Sequence, residues 1–110
     1  MSYPAAFSRE AIDSEVLKPI PLHLHPWIKV DLREIAEKDI PKVKKDLREV
    51  ERHRDEVKET LAGLRTGTVD YITVTKQLVD AEEGIVINRS KLEFYDGKTY
   101  LLTKRLALRE

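Results

Sequence analysis

Two stretches in which apolar residues recur at alternating intervals of three and four flank the tetrapeptide Arg65-Thr66-Gly67-Thr68, and they constrain this chain more than any other feature. Before the turn the series is Ile40, Val43, Leu47, Val50, Arg54, Val57, Leu61 and Leu64. After it the series is Tyr71, Val74, Leu78, Ala81, Ile85, Asn88, Leu92, Tyr95, Thr99, Leu102 and Leu106. Alternating three and four is the seam of a helix packed at coiled-coil geometry. The pattern predicts an all-α fold, a long antiparallel helical hairpin with arms at 31–65 and 69–108 and a turn at 65–68. Folding the arms sets residues whose numbers sum to about 133 side by side, at about 1.5 Å per residue. Leu61 then faces Tyr71 to Val74, Leu47 faces Ile85, Leu32 reaches Leu102, and Trp27 with Ile28 reaches Leu106.

Local signals set the expected boundaries. Gly67 suits a left-handed position and Thr68 suits a helix N-cap. Asp31 with Glu34 has the spacing of a capping box. Pro41 removes a backbone donor, so a kink or restart is expected near Asp39-Ile40. Gly84 and Gly97 are weak points of the second arm, each costing about 1 kcal/mol relative to alanine.

Residues 1–30 read as a separate N-terminal arm holding four of the five prolines. Ser8 is placed to cap a short helix running to about Leu17 and stopped by Pro19. From Pro19 to Pro26 the chain is expected to be an extended strap, since proline disfavours helix in the residue before it. Ile20, Leu22 and Leu24 would line one side of that strap, ready to clamp a partner surface.

Composition narrows the function classes. Twenty basic and twenty acidic residues cancel, and the signs are interleaved along the first arm. Such a balance fits a solvated helix face and predicts no nucleic-acid partner. With no cysteine, disulfides, thiolate metal sites and cysteine nucleophiles are excluded. No apolar run is long enough to span a bilayer, so no direct membrane insertion is expected. Met1 to Ile12 lacks a basic start followed by an apolar stretch and predicts no secretory signal. The expected location is the cytoplasm or a particle assembled there.

Candidate chemistry is thin. His23 and His25 could share a side of the strap, with His53 as a third metal ligand; surface or packing histidines explain them better, and no metal or other cofactor is expected. Glu82-Glu83, Glu49 and Glu51 read as partners for Lys and Arg rather than catalytic carboxylates. Gly67 lacks the company of a phosphate loop. Lys42-Val43-Lys44-Lys45 is flanked by acids and reads as a solvated face, and Tyr95 beside Phe94 reads as core. Arg54 and Asn88 are polar at seam positions. Asn88 could specify register or sit at a loose edge, whereas Arg54 is expected to reach out to Glu82 or Glu83.

A second stripe runs along the later arm at Ile72, Val79, Val86, Tyr100 and Ala107, interrupted by Glu93. One partner arm covers only one stripe, so the second must meet the N-terminal arm or another subunit. Two-helix hairpins bury little surface, which favours another subunit for much of it, with Ile72, Val79, Val86 and Tyr100 at the interface. The expected protein is a non-catalytic structural subunit of a larger assembly such as a virion, filament or envelope complex. Its partners would be copies of itself or other protein subunits.

The stretch Leu64-Arg65-Thr66-Gly67-Thr68-Val69-Asp70-Tyr71-Ile72, followed by Gln77-Leu78-Val79-Asp80-Ala81-Glu82 and then Tyr95, resembles the helical hairpin of the outer-membrane efflux factors, the TolC-like family. The resemblance spans about residues 44–108. It implies a docking or adaptor hairpin whose tip, Arg65, Thr66, Gly67 and Thr68, abuts another helical hairpin end to end. The chain has one hairpin where that family pairs two, and no room for its β-strands. A small metal-binding or regulatory protein built on the histidines is the third class.

Overall fold

The computed structural model describes residues 8–108. The first seven residues of the predicted arm, and residues 109–110, lie outside that range. The chain is an all-α hairpin, 65 Å along its longest axis. Helix α1 (Arg9–Ser14) is followed by an irregular stretch and a 3-10 turn (Leu22–Leu24). Helix α2 (His25–Glu34) then passes through a π-helical turn (Ile35–Asp39) into α3 (Ile40–Ala62). Helix α4 (Val69–Ala107), 39 residues long, returns along the whole of that arm.

Every seam position from Ile40 to Leu64 and from Tyr71 to Leu106 is buried or half-buried. Val43, Val57, Ala81, Ile85 and Leu102 are the most enclosed of the apolar ones. A side-chain Cβ built on Gly84 would meet Val50 Cγ1 at 3.1 Å, which fixes the pairing of the two arms at that level as the summed numbering requires. Gly84 therefore marks a close approach of α3 and α4.

The turn forms as its residue types require. Gly67, at φ +89°, occupies the third place of a turn closed by the Thr68 amide donating to the Arg65 carbonyl at 3.4 Å. That is the position where a type II turn needs positive φ. Thr68 Oγ1 accepts from the Tyr71 amide at 3.1 Å and caps α4. The first arm stops slightly early, at Ala62, with Gly63 as its C-cap.

Three boundaries differ from the sequence expectation. The extended strap is shorter than predicted, because α2 already starts at His25 and crosses the expected division between 30 and 31. Pro26 sits in its first turn, where a missing N–H costs nothing. His25 keeps helical angles despite preceding a proline, and its Nε2 donates to the Ile20 carbonyl at 2.8 Å. Asp31 consequently lies inside a helix and caps nothing. Helix α1 ends at Ser14 rather than Leu17, since the chain turns extended at Glu15 and goes on to bury Ile20.

The irregularity expected before Pro41 is the π turn, in which the Ile40 amide bonds to the Ile35 carbonyl five residues back. Its wider turn has a packing role. Ile35 and Ile40 are five residues apart, one more than an α-helical stripe allows, and the π turn brings both toward α4.

Candidate interaction surfaces

Helix α1 lies on α4 beyond Glu93, on the side that carries the second stripe. Arg9 pairs with Asp96 at 3.2 Å, and Asp13 Oδ1 accepts from both Tyr100 Oη and Lys104 Nζ. Arg9 and Lys104 also stand over the Tyr100 ring, 5.3 Å and 4.8 Å from its centre. Farther on, Arg105 donates to the Lys18 carbonyl at 3.0 Å. Contacts that rise together in residue number make α1 parallel to α4, with Ile12 buried beneath it. The bonds from Lys104 and Tyr100 hold the Asp13 carboxyl below the ordinary aspartate range. The same bond to Asp13, followed by that to Tyr100, raises Lys104. Tyr100, expected at a subunit interface, is thus engaged by the chain's own α1.

Among the described residues nothing comparable covers the stripe nearer the tip. Ile72, Val79 and Val86 are 51%, 48% and 61% exposed, and Ile87 and Val69 beside them are exposed too. Val79, Val86 and Ile87 line a shallow groove edged by Glu82 and Glu83. An aligned row of exposed branched aliphatics is what a soluble helix normally avoids unless something packs on it.

A second apolar patch, missed at the sequence level, sits at the other end. Trp27 is 70% exposed rather than packed against Leu106, and Leu22, Leu24 and Val30 are exposed near it. Earlier onset of α2 turns Trp27 outward, and residues 19–26 gave no helical signal from which that could be read. The Asp13 clamp was missed as well, although Asp96, Tyr100 and Lys104 recur every four residues on one side of α4.

The remaining site candidates are dispersed. His23 is exposed, the His25 ring is bonded to Ile20, and His53 lies far along α3, roughly 40 Å up the helical arm. Among the described residues no group of three or more His, Cys, Asp or Glu could hold a metal ion. Arg54 pairs with Asp55 of its own helix at 3.1 Å, not with Glu82 or Glu83. Asn88 is buried and its Nδ2 donates to the Gly84 carbonyl at 2.9 Å, so its amide is satisfied within α4. Phe94 and Tyr95 meet edge to face, ring centres 5.5 Å apart. At the tip Arg65, Thr66, Gly67 and Thr68 are all exposed.

Among the described residues no helix is long and apolar enough to cross a membrane. No family model matches the chain, and neither a curated protein nor a solved structure does.

Proposed function

We propose that this chain is a non-catalytic structural subunit of a multi-subunit assembly, built to pack through helix–helix contacts on the outer side of α4. The observation that carries the reading is the unpaired row Ile72, Val79 and Val86 on a helix whose other apolar side is already spent on α3. Burial of such a row is favourable at about 25 cal/mol per Å² of apolar surface, and the described residues leave that gain unused. The exposed Trp27 patch offers a further contact at the opposite end, so one subunit could touch neighbours at two places.

Light scattering on the purified chain across a concentration series tests this. A defined mass above that of a single chain is the expected result, and a folded monomer at every concentration contradicts self-packing. A second reading, docking by the tip as in an efflux-factor hairpin, draws on the exposed Arg65 and Thr66 beside a 78%-exposed Val69. It predicts that R65A or T66A abolishes capture of a second hairpin protein while leaving the chain's own mass unchanged.

A further inference from the structure

The charges flanking the exposed stripe identify what fits on it. At about 100° per residue, Ile72 and Val86 fall within roughly 20° of Val79 on either side. Lys76 and Glu83 lie on one flank of that line, and Glu82 lies on the other. Among the described residues neither Lys76 nor Glu83 has an ion-pair partner.

Two copies of this face can meet about a two-fold axis in two ways. In a parallel pair, opposite flanks meet at the same level, and Glu83 of each copy confronts Glu82 of the other. Four carboxylates then crowd one layer, which like-charge repulsion disfavours. In an antiparallel pair, the same flanks meet with the direction reversed, joining residues whose numbers sum to about 159. Lys76 of each copy then lies beside Glu83 of the other, twice over, and Ile72 of each packs near Val86 of the other.

The length of the free face agrees with this arrangement. It runs from Val69 to Ser90, roughly 30 Å of helix. Beyond it Glu93 interrupts the stripe, just before α1 occupies α4 from Asp96 onward. In the antiparallel pair the tip of the other copy reaches the level of Glu93, bringing its exposed Arg65 toward that carboxylate, and stops short of α1.

Resting on the reading of the stripe as an interface, we propose that the Ile72–Val79–Val86 face binds the same face of a second copy of this chain. The two α4 helices run antiparallel, with the two-fold axis beside Val79 and reciprocal Lys76–Glu83 ion pairs.

Charge reversal tests the proposal directly. Lys76 and Glu83 are exposed, so neither substitution disturbs the hairpin, which circular dichroism verifies. K76E alone, or E83K alone, sets like charges against each other at both contacts. Each should weaken the dimer about tenfold or more in sedimentation equilibrium at low salt. An equimolar mixture of K76E and E83K chains restores opposite charges at both contacts and should recover dimer of parental affinity. Variants that dimerise like the parent, or a mixture that recovers nothing, would overturn the antiparallel pairing and leave the interface reading standing. A parent chain that is monomeric throughout would overturn any pairing of copies through this face and leave the stripe to a different subunit.

Discussion

At the scale of single residues, Gly84 and Asp13 carry contacts whose importance the composition conceals. Gly84 looks like a helix defect, yet its missing Cβ is what lets Val50 approach. Alanine there should be close to neutral, because a propensity gain of about 1 kcal/mol offsets a small displacement of Val50. Leucine has no room and should destabilise the hairpin by about 1–3 kcal/mol, read from urea unfolding. Asp13 holds α1 down through Tyr100 and Lys104. Its lowered pKa means that its contribution is complete above the unfolded aspartate value of about 3.9 and is lost as pH falls through the folded value. The raised pKa of Lys104 gives the opposite dependence, complete below about 10.4 and lost as pH rises through the folded value. Amide exchange in residues 9–14 should therefore show constant protection between those limits and lose it in acid. D13N should lose it at neutral pH with the hairpin unchanged. Protection that survives D13N would show that burial of Ile12, not the clamp, holds α1.

At the scale of elements, the seam was legible because a three-four repeat sustained over so many residues has one good solution, and burial follows it position by position. The Thr68 cap and the left-handed Gly67 were legible for the same reason, since few residue types satisfy those backbone demands. The start of α2 was not legible: proline steric bias pointed to extended chain around Pro26, whereas its place in a first turn made it harmless. Pro41 announced an irregularity without revealing its form. The unread signal was the five-residue step from Ile35 to Ile40, which only a π turn reconciles with one continuous stripe. Deleting exposed Lys38 in a P41A background should therefore convert the turn to regular α-helix and leave the melting temperature within a few degrees. Deleting exposed Arg52 from the middle of α3 should rotate half the seam away from α4 and abolish cooperative unfolding. Equal damage from both deletions would refute this account of the π turn.

At the scale of the whole molecule, one hairpin presents two apolar sides on α4, and the described residues cover one side and part of the other: α3 takes the seam, and α1 takes the Tyr100 end of the second stripe. The sequence showed the second stripe but not how it is divided, because the clamp joins residues 87 and 91 positions apart through exposed polar groups that carry no periodicity. What is left over, from Val69 to Ser90, is an apolar face with charges arranged to match their own reversed copy. The most direct test compares the solution mass of the parent chain with that of a V79S/V86S double variant by light scattering at matched concentrations. Both side chains project away from the hairpin core, so helix content should be unchanged, while the mass should fall from twice the 12.8 kDa of one chain to that of a monomer. An assembled parent whose mass is the same in the double variant would contradict the claim that this face is where copies of the chain meet.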